Sequence, residues 1–363
     1  MHITRLELRQ FRNYETAELR PCEGVTVLYG NNAQGKTALL EAIVLSCTGR
    51  SHRTPRDKEL IRWGQEAGRV FVQAEKRDGS HEVEMLLSTM RRKTVKVNGS
   101  VLQRTGELMG HINGVLFAPE DLRMVKDGPA ERRRFIDMEL SQIKPSYYYA
   151  LQHYAHALMQ RNKLLRDIAI KPALADMLED WDAQLARYGA AIMVERQAFI
   201  ARISESAHEN HLEISGGQED LEARYVPSLD LQNEPGQALL KALRVARDVD
   251  IRRGTTSVGP HRDDLMLTLS GMDVRIYGSQ GQQRTTALSL KLAELDIMRR
   301  EIDEWPVLML DDVMSELDPK RRRQLLGRLR GIQTIVTCTD MSDLADAEIG
   351  AAWRIQNGTI VRE

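Results

Sequence analysis

The sequence predicts an α/β protein in which one mixed-sheet domain is split by an inserted helical segment. Three observations carry this. The apolar run VTVLY (25–29) enters the glycine-rich stretch GNNAQGKT (30–37) and then the apolar helical stretch TALLEAIVLSC, a strand–loop–helix unit. From about residue 121 to 245 the apolar spacing and composition become helical. Short apolar strands then return, among them VLMLDD (307–312). The expected organisation is residues 1–120, an inserted helical arm at 121–245, and a return to the first domain at 246–363.

Bulk properties narrow the class. At 363 residues the chain exceeds one ordinary core, and 42% apolar with 28% charged residues suits a globular protein. Fifty-one basic side chains against 52 acidic ones leave a net charge of −1, so any nucleic-acid contact needs local patches. Three cysteines without CxxC spacing argue against a disulfide scaffold or zinc knuckle and for a reducing cytosol. The start MHITRLELRQFRNY lacks the apolar core of a signal peptide, and no run approaches a membrane span. The expectation is cytoplasmic, with no membrane partner.

In order along the chain, Leu6 and Leu8 alternate with polar residues, and the helix after the glycine-rich loop carries Leu40, Ile43, Val44 and Cys47 at helical spacing. GRVFVQAEK, HEVEMLLS and KTVKVNGSV alternate as strands, with Asn98-Gly99 marking a hairpin, so an antiparallel sheet is expected beside the strand–loop–helix unit. In the middle third, AERRRFIDMEL, SYYYALQHYAHALMQRNKLL and ALADMLEDWDAQLARYGAAIMVERQAFIARISESAHE read as helices punctuated by Pro145 and Pro172. No heptad repeat is sustained there. DLMLTLS, DVRIYG, VLMLDD, QTIVT and the hairpin AWRIQNGTIVRE then read as strands.

The glycine-rich stretch fits G-x-x-x-x-G-K-[ST] between a strand and a helix, the context that motif requires. Gly30 and Gly35 permit tight turns, so that the backbone N–H groups of Asn31, Asn32, Ala33 and Gln34 and the following helix N-terminus face phosphates. Lys36 is expected to neutralise β/γ-phosphate charge and Thr37 to hold Mg²⁺. In VLMLDD a buried strand ends in two acids, so Asp311 is the second expected metal residue and Asp312 the expected general base, with Lys36 as its catalytic companion.

Two peptides resemble the signature motif of ATP-binding-cassette (ABC) ATPases. ISGGQ ends at Gln218, but the residues after it open no comparable helix. Tyr277-Gly278-Ser279-Gln280-Gly281-Gln282 is a diverged form that leads into the helical pattern TTALSLKLAELDIMRR, with Ser279 32 residues before Asp311. Ser279, Gly281 and Gln282 are therefore taken as the signature residues and ISGGQ as a loop. The resemblance implies a split ABC-type P-loop ATPase head in which the signature of one subunit caps the γ-phosphate bound by another. That means a homodimer on ATP binding, with Ser315-Glu316-Leu317-Asp318 at the dimer-contact loop.

Longer segments resemble the RecF family of SMC-like ABC ATPases nearly end to end: LRQFRNY, GRSHRT, FAPEDLRMVKDGPAERRRFID, SVGPHRDDL and LDDVMSELDPKRR. The resemblance implies ATP and Mg²⁺ as cofactors and binding to gapped, single-stranded or double-stranded DNA. It also implies RecR and RecO as partners, with roles in recombinase loading, replication restart, DNA repair and the SOS response. Two departures from the wider ABC pattern, Asp312 where glutamate is usual and Cys338-Thr339-Asp340 without a switch histidine, point to slow hydrolysis. An arginine after the P-loop helix reaches the nucleotide in SMC-like proteins, and Arg50 or Arg53 resembles it. Arg12 and Asn13 lie in a segment resembling the family's nucleotide-flanking strand, with a plain β-turn end as the other reading.

For DNA the candidates are Arg50, Arg53, Arg56, Arg91, Arg92 and Lys93, with further runs at 132–134 and 320–323, against the alternative of solvated, ion-paired faces. Tyr147-Tyr148-Tyr149 is read as helix packing in preference to base stacking, and His261 as a structural turn residue. Two rival functions differ in class: the cytosolic ATPase of a transporter, and an ATP-binding scaffold whose DNA contact comes from partners.

Overall fold

β1 (His2–Phe11), β2 (Tyr14–Leu19) and β3 (Val25–Tyr29) precede α1 (Lys36–Thr48), which is followed by β4 (Ala67–Lys76), β5 (Gly79–Ser88), β6 (Thr94–Val97), β7 (Ser100–Val101) and β8 (Gly114–Phe117). The middle of the chain forms α2 (Leu122–Lys126), α3 (Pro129–Ile143), α4 (Pro145–Ile168), α5 (Leu178–Ser215), β9 (Leu221–Val226) and α6 (Pro235–Arg253). Then come β10 (Asp264–Leu269), β11 (Met272–Asp273), α7 (Val274–Tyr277), α8 (Gln280–Ile302) and β12 (Val307–Asp311). The chain continues through α9 (Pro319–Arg328), β13 (Thr334–Cys338), β14 (Ile349–Gln356) and β15 (Thr359–Arg362). This computed structural model describes residues 1–231, 234–344 and 347–362.

Two compact units result, Met1–Leu122 with Lys291–Glu363, and Arg123–Leu290. In the first, a mixed sheet runs β15-β14-β3-β13-β12-β8, parallel throughout except for β15. An antiparallel sheet runs β2-β1-β4-β5-β6-β7. Between strands of both lies α1, and every one of its residues but Thr37 is buried. It is thus buried all round, and the single face read from Leu40, Ile43, Val44 and Cys47 is only part of its contact surface. Gln333 stitches the sheets together: its amide donates to the carbonyls of Ile3 and Cys22, both at 2.8 Å, and accepts from the Ile3 N–H at 2.6 Å. Asn98-Gly99 does close the β6–β7 hairpin, both residues having positive φ.

In the second unit α4 packs on α5 and α5 on α6, beside the small sheet β11-β10-β9. Three arginines are buried there, Arg132, Arg161 and Arg196, each neutralised by carboxylates, which burial of a charge requires. Arg161 donates to Asp182 at 2.6 Å and Asp250 at 2.7 Å; Arg196 donates to Asp137 at 2.8 Å and Asp263 at 3.3 Å.

The units divide at Leu122/Arg123 and Leu290/Lys291, where the sequence reading expected 120/121 and 245/246. Residues 246–290 stay with the helical unit, because β10 pairs with β9 along its whole length and Arg161 holds Asp250 and Thr256. The division falls inside α8. DVRIYG is not a strand: only Met272–Asp273 pairs, and Asp273 caps the short α7 by accepting from the Arg275 N–H. Strands β2, β8 and β9 have no counterpart in the sequence reading. The closing hairpin forms as read, apart from Glu363, which lies outside the described residues. Among the described residues no helix is long and apolar enough to cross a membrane.

Candidate functional site

At the C-terminal ends of β3, β12 and β13 the glycine-rich loop opens a cavity of about 690 Å³, lined wholly by residues of the first unit. The loop's shape comes from residues at positive φ: Gly30 at 143°, Ala33 at 64° and Gly35 at 118°. At Gly35 a second constraint acts, since a Cβ there would lie 2.6–2.8 Å from the side chains of Asn13 and Tyr14. Those two residues brace the loop. Asn13 Nδ2 donates to the Gln34 carbonyl at 2.8 Å, and the Tyr14 hydroxyl donates to the Gly35 carbonyl at 3.1 Å. From the other side the β14–β15 turn grips Gln34, with the N–H of Asn357 on its side chain (2.6 Å) and that of Gly358 on its carbonyl (3.2 Å).

Lys36 is buried and its ammonium donates to the carbonyls of Gly30 and Asn31. Burial pulls its pKa below the ordinary value, opposed by the charges of Asp312, Cys338 and Asp311. Thr37 Oγ1 donates to Asp311 Oδ1 at 3.0 Å, and Thr337 Oγ1 donates to the same oxygen at 2.7 Å. Burial raises the Asp311 carboxyl above its usual range; the two threonine bonds oppose this and the charges of Glu120 and Asp312 add to it. Asp312 sits at φ 54°, a left-handed conformation that aspartate tolerates better than most residues. Its N–H donates to Thr337 Oγ1 at 2.9 Å, its carbonyl accepts from Ser315, and its Oδ1 is buried without a hydrogen-bond partner among the described residues.

This donor set suits a hard divalent cation: a threonine hydroxyl, a carboxylate whose charge is costly where it lies, and an orphaned carboxylate oxygen beside it. The strand–loop–helix geometry, with backbone N–H groups and a helix N-terminus turned to one space, suits a polyphosphate.

Arg12 and Asn13 form the two-residue turn between β1 and β2, with Arg12 at φ 53°, so they both end a turn and flank the loop. Arg12 grips the buried Glu41 of α1 with two bonds (2.8 and 2.6 Å) and the Glu59 carbonyl with a third (2.7 Å). Ser51 and, at 3.8 Å, Arg53 complete the shell around Glu41. Burial alone raises the Glu41 carboxyl, but the hydrogen bonds of Arg12 and Ser51 with the charges of Arg12 and Arg53 hold it below its usual value. Of the two arginines after α1, Arg53 lines the cavity, whereas Arg50 is exposed and is not part of its lining.

The segment read from sequence as the signature has a clear local origin. Ser279 Oγ accepts from the Gln282 N–H at 3.2 Å while Gln282 Oε1 accepts from the Ser279 N–H at 2.8 Å, a reciprocal capping box that starts α8. Gly281 lies in its first turn. The rival ISGGQ ends a helix: Ser215 is the last residue of α5, with Gly216 at φ 75° as its cap.

The basic candidates separate. Arg91 and Arg92 are exposed, and Arg56 (79% exposed) pairs with Glu59 at 3.4 Å. Lys93 is engaged in the fold, donating to the Gly49 carbonyl (2.6 Å) and Asp57 (3.0 Å). Arg132, expected in a basic run, is buried and bidentate on Asp264. Tyr147 and Tyr148 are buried in helix packing, and His261 is a turn residue between the Tyr154 hydroxyl and the Thr256 carbonyl. Thr337, Ser51, Glu41 and Tyr14, which complete the site, were given no role from sequence, although Tyr14 lies in LRQFRNY and Ser51 in GRSHRT.

The family model of the RecF/RecN/SMC N terminal domain matches residues 2–360. A protein of Acetivibrio thermocellus named DNA replication and repair protein RecF is 45% identical over 345 residues, 94% of each chain. A solved structure described as the recombination mediator protein RecF-ATP in the RecFOR pathway superposes with a TM-score of 0.94 at 38% identity, covering 100% of this chain and 97% of the other. A head domain of Smc from Pyrococcus furiosus, at 18% identity and a TM-score of 0.59, shares the fold.

Proposed function

The chain belongs to the RecF family, whose members are named DNA replication and repair proteins, and from that premise we propose that it is an ATP-dependent DNA-binding recombination mediator. The observation that carries the ATP reading is the cavity in which the Lys36–Thr37 loop faces Asp311 and Asp312. The backbone N–H groups of residues 31–35 and the N-terminus of α1 hold the phosphates, and Lys36 exchanges its bonds to the loop carbonyls for phosphate oxygens. Thr37 and Asp311 would hold Mg²⁺, which would supply neutralisation of phosphate charge when bound. Asp312 orients water and accepts its proton; a carboxylate one methylene shorter than glutamate reaches less far, which favours slow turnover.

Ser279, Gly281 and Gln282 open α8 with its N-terminus available to an anion, and they are taken to cap the γ-phosphate held by a second copy. Each copy then completes the other's site, and ATP drives a two-fold dimer. On DNA, exposed Arg50, Arg56, Arg91 and Arg92 meet backbone phosphates, while Arg53 links the nucleotide to that surface. RecR and RecO are the expected protein partners, in recombinase loading, replication restart and the SOS response.

Anisotropy of a labelled gapped duplex tests the reading, titrated with protein with and without Mg·ATP at two salt concentrations, alongside Lys36→Met. Tight, salt-sensitive binding that requires ATP and is lost in the variant is expected. Equal weak binding in every condition would transfer the DNA contact to a partner protein.

A further inference from the structure

Trp63 is 98% exposed, yet it lines the cavity that contains Lys36 and Thr37. A large aromatic side chain left wholly to water beside a ligand-sized cavity calls for a physical reason. Its presentation is built into the fold. The Gln65 N–H donates to the Arg62 carbonyl at 3.0 Å, closing a four-residue turn in which Gly64 takes φ 81°, and Trp63 is the first of its two central residues. Beyond its chain neighbours, no atom of the described residues lies within 4 Å of where a Gly64 Cβ would stand, so backbone conformation, not crowding, accounts for that glycine. The base of the turn is pinned to the β1 end: the Arg12 N–H donates to the Leu60 carbonyl at 2.7 Å, the Arg62 N–H donates to the Gln10 carbonyl at 2.9 Å, and Phe11 bridges Ile61. Leu60 and Ile61 are buried beneath it.

The cavity lining therefore combines two chemistries: the phosphate loop with Asp311 and Asp312, and an apolar and aromatic part made by Ile61 and the Trp63 indole. We propose that Trp63 is the platform on which the base of the bound nucleotide stacks. The proposal rests on the ATP-site reading and deepens it: the triphosphate is held by the loop and the base by an aromatic face. Continuity with the phosphate loop favours the nucleotide over a DNA base as the occupant. Because the indole offers a π-face and few polar atoms, it adds affinity for the base and none for the phosphates.

Isothermal titration of the full chain with Mg·ATP and with Mg·tripolyphosphate separates the two contributions. Trp63→Ala is expected to weaken ATP on the order of tenfold to a hundredfold while leaving tripolyphosphate unchanged, and Trp63→Phe to restore most of the loss. Intact tripolyphosphate binding shows that a variant is folded. Lys36→Met is expected to lose both ligands. Unchanged ATP affinity in Trp63→Ala, with Lys36→Met inactive, overturns the stacking proposal alone, and a selective loss of gapped-DNA binding in Trp63→Ala would assign the indole to DNA instead. Full ATP binding by Lys36→Met would overturn the site reading and the proposal with it.

Discussion

Thr337→Val probes the site at its least visible joint. Thr337 is fully buried, and its one hydroxyl donates to Asp311 Oδ1 while accepting from the Asp312 N–H. Valine keeps the shape and can do neither. Losing a hydrogen bond to a charged acceptor costs about 1.5–3 kcal/mol, and leaving a buried N–H unpaired costs about 1–3 kcal/mol. A loss of about 3–5 kcal/mol of stability is the expectation, with Thr337→Ser close to the parent. Two compact units can unfold separately, so the shift is read in urea on the transition that Mg·ATP moves upward. A second signature follows from Asp311, whose carboxyl burial already raises and this hydroxyl lowers. Without the hydroxyl its pKa rises further and protons compete better with the metal, so Mg²⁺-dependent ATP binding weakens more at pH 6 than at pH 8. Equal stability of the valine and serine variants, or a metal dependence that valine leaves untouched, would refute this reasoning.

Three further perturbations test separate links. Arg12→Ala leaves Glu41 buried with only Ser51 and a distant Arg53, so a cycle with Glu41→Gln should return a coupling of about 2 kcal/mol in urea unfolding; additive single effects would contradict it. Asp312→Asn should keep ATP affinity while slowing hydrolysis about 100-fold or more in a phosphate-release assay, and unchanged turnover would remove Asp312 from the base role. His261 is pushed down to about 4 by burial, so the folded protein keeps it neutral where the unfolded chain binds a proton. Its contribution is therefore present above pH 6.5 and lost as pH falls toward 4, by about 3 kcal/mol, and subtracting a His261→Gln pH–stability curve from the parent's should reveal that slope.

Much of the site was readable because phosphate chemistry constrains neighbouring residues. Gly30, Gly35, Lys36 and Thr37 must be close in sequence to shape one loop, and a buried strand ending in Asp311 and Asp312 carries its own apolar signal. Ser279 was separable from Ser215 for a local reason as well: one precedes a helical pattern and caps it, the other ends one. Partners met across the fold were not legible. Thr337 touches Asp311 through the β12–β13 pairing, Gln333 reaches Ile3 in the other sheet, and nothing in QTIVT distinguishes those side chains from ordinary strand residues. The arm's far boundary was misplaced because alternation identifies DLMLTLS as a strand without naming its partner, which is β9 and not a strand of the first unit. Basic runs were the weakest guide: Arg91 and Arg92 are exposed, whereas Lys93 beside them and Arg132 in another run are engaged inside the fold.

The central claim is that the phosphate loop of one copy and Ser279 of another make a single site. The most direct measurement is ATP hydrolysis by an equimolar mixture of Lys36→Met and Ser279→Arg, each inactive alone. If the site is shared between copies, mixed dimers carry one intact site, and about a quarter of the parent's activity returns. If Ser279→Arg is active alone, or the mixture stays as inactive as its components, the composite site is wrong.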